Sequence, residues 1–162
     1  MPWKTFVNLD IKGEPKAQPR VKACNRGKHA GVYTPSSANG WKELLILQAK
    51  KFRPPIPFSG PMRVDCQFLL PRPKRLYRKK DADGRILHTA KPDRDNLDKA
   101  VLDCLTQMGY WRDDSQVCGG RIEKYYHGKG ESPGVLIRIS IFKGRADGLE
   151  HPDSLTDKNG GT

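Results

Sequence analysis

No apolar run in the sequence approaches the ~20 residues that a bilayer-spanning helix needs. The opening stretch, MPWKTFVNLDIKGEP, lacks a charged-then-apolar leader pattern. A soluble, cytoplasmic protein with no membrane partner is the expectation. Cysteine is scarce. Cys24, Cys66, Cys104 and Cys118 are irregularly spaced and form no CxxC pair. Cys24 with His29 would offer two ligands where a structural zinc takes four. Cys66 and Cys104 sit among apolar neighbours and are expected to be reduced and buried. No glycine-rich loop follows a strand, which disfavours an enzyme of small phosphorylated molecules. Internal repeats are absent too.

What is abundant is positive charge. The 162 residues suit one domain, and carry 30 Lys and Arg against 18 Asp and Glu, a net charge of +12. Such a balance favours a polyanionic partner, most often nucleic acid, unless the charge merely aids solubility. Clustering separates the two. In 12–28, Lys12, Lys16, Arg20, Lys22, Arg26 and Lys28 face only Glu14. In 71–91, Arg72, Lys74, Arg75, Arg78, Lys79, Lys80, Arg85 and Lys91 face only Asp81 and Asp83. Neither stretch keeps a hydrophobic period, so both read as loops. A long loop without structure of its own is usually functional or disordered. Tyr77 and His88 are either base-stacking groups or incidental. The polar, glycine-rich tail 144–162 is expected to be disordered, leaving a domain at 1–143.

The periodic segments give the fold. Thr5, Val7, Leu9 and Ile11 alternate as one face of a strand. Ser36 to Phe52 reads as a helix with Trp41, Leu44, Leu45 and Ala49 on its apolar stripe. Met62, Val64, Cys66, Phe68 and Leu70 give the clearest strand. Leu97, Val101, Leu105 and Met108 place a second helix at Asn96 to Met108, stopped by Gly109. SQVCGGRIEKYY and GVLIRISIF read as two strands, with HGKGESPG as a hairpin connection. The order β-α-β-α-β-β suits an α+β fold, a mixed sheet with two helices on one face. The other face would need a cover, which dimerisation can supply.

Acid is concentrated in KPDRDNLDKAVLDCLTQMGYWRDDSQV, with Asp93, Asp95, Asp98, Asp103, Asp113 and Asp114. If the chain is extended at Asp93 to Asp95, the two carboxylates share a side. They then repel unless a cation arrives, and such oxygen donors suit Mg²⁺ or Mn²⁺. Against this, Asp95 with Asp98 approaches a helix-capping pattern, and Asp113–Asp114 suits a turn. Lys99, four residues after Asp95, is either a surface ion pair or a cation aimed at charge developing on a phosphate. Asp103 fits a supporting role beside it. Three carboxylates with divalent ions on a basic surface suggest phosphodiester hydrolysis.

The stretch KPDRDNLDKAVLDCL followed by GYWRDDSQV resembles the RusA family of Holliday-junction resolvases. The family pattern is D-x-D-N-L-x-K, a helix, then a hydrophobic-aromatic turn with D-D-x-Q-V. GEPKAQPRV and VYTPSS are similar to the early segment of phage-type members, and the likeness spans roughly Val7 to Lys143. It implies a homodimeric, Mg²⁺-dependent endodeoxyribonuclease, often phage- or prophage-encoded, in which Mn²⁺ can stand in for Mg²⁺. Such an enzyme resolves four-way DNA by paired symmetric nicks. The essential carboxylates would fall on Asp93, Asp95 and Asp114 as metal ligands, and the essential lysine on Lys99, with Asp113 supporting. Arg20, Lys22, Arg72, Lys74, Arg75, Arg78, Lys79 and Lys80 would grip DNA. The segment Pro71 to Lys91 is long, and its tip DADGRILHTA falls outside the pattern, so substrate choice stays open. A non-catalytic branched-DNA-binding protein is the alternative.

Overall fold

The computed structural model describes residues 2–33 and 36–144. A mixed sheet is built from β1 (Trp3–Lys12), β4 (Met62–Leu70), β5 (Ile86–Leu87), β6 (Val117–Gly119), β7 (Ile122–Tyr126) and β8 (Gly134–Phe142). Its spatial order is β1-β8-β4-β7-β5, with β6 also on β4. β8 is antiparallel to both β1 and β4, whereas β6 and β7 run parallel to β4. Two helices, α1 (Asn39–Ala49) and α2 (Arg94–Gln107), pack with the sheet in one core. A separate hairpin pairs β2 (Lys22–Arg26) with β3 (His29–Tyr33).

The α+β class and the main elements follow the periodicity. β4 buries Met62, Val64, Cys66, Phe68 and Leu70. α2 buries Leu97, Val101, Cys104, Leu105 and Met108. Gly109 ends α2 with φ +81°, in the left-handed region that lets the chain reverse. There Tyr110 N donates to Leu105 O at 3.1 Å. On α1, Trp41, Leu45 and Ala49 are buried while Leu44 is 43% exposed. In β1 a register shift between Thr5 and Val7 takes Thr5 out of the apolar stripe.

Four expectations change. The basic stretch 12–28 is not all loop, because β2 and the turn of the hairpin fall within it. SQVCGGRIEKYY divides into β6 and β7 at Gly119–Gly120. β7 and β8 form no hairpin, because β4 lies between them and parallel pairing claims β7. The sheet face away from the helices also needs no apolar cover. It carries Asn8, Asp10, Arg63, Asp65, Gln67, Glu123 and Arg138 around a concavity. These groups partly satisfy one another, as Gln67 Nε2 donates to Glu123 at 3.0 Å and Arg121 N donates to Asp65 at 2.9 Å. The expected tail lies outside the described residues from 145 onward.

Gly120 is where β6 gives way to β7. Its φ is +144°, and a Cβ there would lie 1.8 Å from the Val64 carbonyl oxygen. Backbone cannot yield as a flexible side chain can. Gly120→Ala is expected to cost about 2–3 kcal/mol or more. Thermal unfolding checks it, and a melting temperature equal to the parent's would refute the close approach.

Candidate functional site

The chain leaves β4, passes through 71–93, and returns alongside the sheet as α2. A parallel pair needs such a crossover, and it sets the first turn of α2 beyond the carboxyl end of β4. Asp93 is the N-cap residue, with extended backbone (φ −71°, ψ 142°), and Arg94 already belongs to the helix. The expected extended run through Asp95 therefore stops at Asp93, and Asp95 is instead a first-turn acid. An anion there is favoured by the exposed N–H groups of the first turn. The Asp93 side chain makes no capping hydrogen bond. It sits 3.9 Å from Lys91 Nζ, a long surface pair. Lys99 is exposed and forms no ion pair among the described residues.

Asp113 and Asp114 belong to a tight turn after α2. Asp113 caps the short 3₁₀ turn Asp114–Gln116 by accepting from Ser115 N at 2.8 Å. The Ser115 backbone and side chain, then the Asp114 carboxyl, hold the Asp113 carboxyl below the usual carboxylate range. Gln116 fixes the turn. Its Oε1 accepts from Arg112 N and Asp113 N, and its Nε2 donates to Phe58 O and Gly60 O. The Asp-Asp-x-Gln spacing is thus a hydrogen-bonded clamp onto the chain entering β4. The turn packs against α2. The acids remain two pairs, however: among the described residues no three Asp, Glu, His or Cys side chains gather as a metal-holding group. Asp103 is half-buried on α2.

Two basic segments meet at the start of α2. Gln18 N donates to Asn96 O at 2.9 Å, tying the first segment to the helix. Lys124, which the sequence reading missed, donates to Ala90 O and Pro92 O at 2.7 Å each. It anchors the second segment immediately before Asp93. Only the tertiary pairing of β7 with β4 brings this lysine there.

The second segment is an ordered loop organised by Arg72. Arg72 is 6% exposed. Its guanidinium donates to the carbonyls of Leu76, Ala82, Gly84 and His127. It therefore does not present itself to DNA, contrary to expectation; burial demanded partners and the loop backbone supplied them. Tyr77, half-exposed, lies under the same guanidinium at 5.3 Å. His88 is buried against Tyr126, with ring centroids 4.5 Å apart, and so is not a surface stacking group. Burial, then Lys124, lowers its pKa. Lys74, Arg75, Lys79 and Lys80 are exposed, as are Arg20 and Lys22 on the first segment. Arg78 is exposed but paired with Asp81 at 3.2 Å.

Asp98, expected as an ordinary first-turn acid, faces the interior. Burial pushes its pKa from 3.8 up to about 6, and the Cys66 thiol opposite it restrains the rise. Cys66 is itself raised well above its usual value by burial and then by Asp98.

A family model described as endodeoxyribonuclease RusA matches residues 12–140. The chain belongs to the RusA endodeoxyribonuclease family, and that membership implies an endonuclease of the Holliday-junction resolvase kind. It is also similar to a protein of Bacillus subtilis (strain 168) described as "Uncharacterized protein YqaN". The two are 31% identical over 138 residues, covering 82% of this chain and 94% of that one.

Two predictions test this geometry. Removing the Arg72 guanidinium strands four carbonyls, so Arg72→Ala is expected to cost about 2–4 kcal/mol and to open 73–85 to proteolysis. Arg72→Lys should fail to restore the loop, since one ammonium cannot replace the planar fork. Wild-type melting and protease resistance in the lysine variant would disprove the hub. The second concerns pH. Folded Asp98 keeps its proton to about pH 6, whereas an unperturbed Asp releases it near 3.8. Its contribution is complete below the lower value and is lost as pH rises through the higher one. Asp98→Asn should match the parent near pH 3.5 and exceed it by about 1–2 kcal/mol at pH 7.5, allowing for part exposure. Denaturant melts in EDTA at both pH values decide this, and an equal difference at both would overturn it.

Proposed function

We propose that the protein is a metal-dependent, structure-specific endodeoxyribonuclease that resolves four-way DNA by paired nicks, acting as a homodimer. The observation that carries this is convergence at one helix start. Asp93 and Asp95 open α2, the first basic segment donates to Asn96 O in that turn, and the second runs directly into it, held by Lys124 through the carbonyls of Ala90 and Pro92. Exposed cations would hold phosphates in a salt-dependent, sequence-independent way. The acids would then meet a phosphate already brought close.

The donor chemistry fits Mg²⁺ or Mn²⁺. A hard cation takes carboxylate oxygens, and Mg²⁺ usually keeps several waters while using one or two carboxylates with substrate phosphate. Asp93 and Asp95 supply such a pair, and Asp114 is the third ligand on this reading. The ion, when bound, supplies Lewis acidity and lowers the pKa of water. The chain's own work is different. Gln116 and the Asp113 cap hold Asp114 in its turn. Lys124 holds the residues before Asp93. Lys99, one helical turn after Asp95, offers its exposed ammonium to the charge that develops on the phosphate. Asp103 supports that helix face. A two-fold dimer with one site per subunit suits paired nicks in a symmetric junction.

Cleavage of a labelled four-way junction in Mg²⁺ is the test. Asp114→Asn should retain junction binding and lose cutting by at least about 10²-fold. Lys99→Ala should also bind and fail to cut. Normal cutting by Asp114→Asn would remove that residue from the ligand set. Binding without nicks by the unaltered protein, in Mg²⁺ and in Mn²⁺, would favour a non-catalytic junction binder.

A further inference from the structure

Tyr77 follows the short 3₁₀ turn Lys74–Leu76, and the backbone is pinned on both sides of it. Before it, the Leu76 carbonyl accepts from Arg72 Nε at 2.9 Å and from Arg72 Nη2 at 2.6 Å. After it, Arg78 N donates to Asp81 at 2.8 Å, and Arg78 O accepts from Lys129 Nζ at 3.0 Å. Lys129 also donates to Asp81 O at 2.9 Å, so the loop after β4 is stitched to the loop after β7. The Arg72 guanidinium backs the Tyr77 ring at 5.3 Å, yet the residue stays 44% exposed. A phenol held in this way has little rotamer freedom left to lose when a ligand covers it.

Its neighbours indicate the chemistry of that ligand. Lys74, Arg75, Arg78, Lys79 and Lys80 all lie exposed within three residues of it. Cations serve phosphates, whereas an aromatic ring among them serves the flat face of a base. In a continuous duplex each base is stacked on both sides and must be unstacked before a face is free. At a branch point the stack is already interrupted. Shielding Arg72 does not by itself call for an exposed ring. The guanidinium has its carbonyl partners, and an aliphatic side chain would cover it as well.

We propose that Tyr77 is a base-stacking residue that selects branched over continuous duplex DNA. Its exposed ring meets a base at the branch point, while the surrounding cations hold the flanking phosphates. This deepens the junction-cutting reading and rests on it for the choice of DNA. The loop's attachment agrees with that reading. The loop runs into β5, which pairs with β7, and His88 N then donates to Lys124 O. The Lys124 ammonium in turn holds Ala90 and Pro92 ahead of Asp93. The stacking ring and the first of the acids therefore hang from one strand.

The test is equilibrium binding in EDTA, over a range of salt, to a labelled four-way junction and to a duplex of equal length. A second arm places 5-iodouracil at the branch point for photo-crosslinking. Tyr77→Ala should weaken junction binding at least about fivefold, with duplex binding held within about twofold. The salt slope should not change, because no cation is lost. Tyr77→Phe keeps the ring and should restore the preference. Tyr77→Leu covers Arg72 without a ring, so it should lose the preference while 73–85 keeps its protease resistance. That variant decides the question if alanine loosens the loop. The branch-point crosslink should map to Tyr77. A junction preference in Tyr77→Leu within about twofold of the parent's would overturn the proposal. So would branch-point crosslinks that avoid Tyr77, or equal affinity of the unaltered protein for junction and duplex. Failure of the unaltered protein to cut in Mg²⁺ counts against the nuclease reading alone, because these measurements need no cutting.

Discussion

Parallel pairing of β4 with β7 is the constraint on which the rest depends. Two parallel neighbours cannot be joined by a tight turn, so the chain must cross over between them. α2 is that crossover, and its polarity is then fixed. It starts where β4 ends and runs back along the sheet, with its apolar side held by Leu97, Val101, Cys104 and Leu105. The same pairing puts Lys124 opposite Phe68, within reach of the carbonyls of Ala90 and Pro92. Acids near the start of α2 are favoured by the helix end itself. The place where the carboxylates stand is a consequence of sheet topology before it is a matter of chemistry.

Much of this was legible in the residues because period and burial agree. β4 alternates from Met62 to Phe68, before Leu69 and Leu70 are both buried at its end, and its strand bounds follow. α1 and α2 keep an apolar stripe, and Gly109 stops α2 for a stated backbone reason. The hairpin β2–β3 was hidden because it contributes nothing to the core: its Ala23, Ala30 and Val32 are all exposed, so no buried stripe marks its strands. The pairing of β7 with β4 instead of β8 was hidden for another reason. Strand sequences specify which face is buried, but not which edge is shared.

Residue type misled where burial decided role. Arg72 belongs to a run of cations and was read with them, yet it is nearly inaccessible and organises the loop through four carbonyls. Asp98 has the spacing of a capping acid but is half-buried beside the Cys66 thiol. His88 lies in a basic loop and packs on Tyr126. At Asp113 and Asp114 the turn reading holds. Asp113, Asp114 and Gln116 keep a local hydrogen-bonded turn, and local turns are what spacing encodes.

The two acid pairs differ in how they are held, and the difference bears on what they can do. Asp113 is committed to its cap, and its carboxylate is held in the charged form by Ser115. Asp93 stands at a cap position without making the capping bond, so its oxygens have lone pairs to give elsewhere. Exposed carboxylates beside bound phosphates would repel them, and so weaken binding, unless a cation intervenes. On a surface otherwise selected for positive charge, that repulsion makes uncompensated acids at the start of α2 costly to DNA binding. On the proposed reading a divalent ion would remove the conflict, because it would let carboxylate and phosphate share one positive centre. The basic balance of the chain and its acidic helix start would then be parts of one electrostatic arrangement, in which the surrounding cations draw in a backbone that the acids alone would turn away.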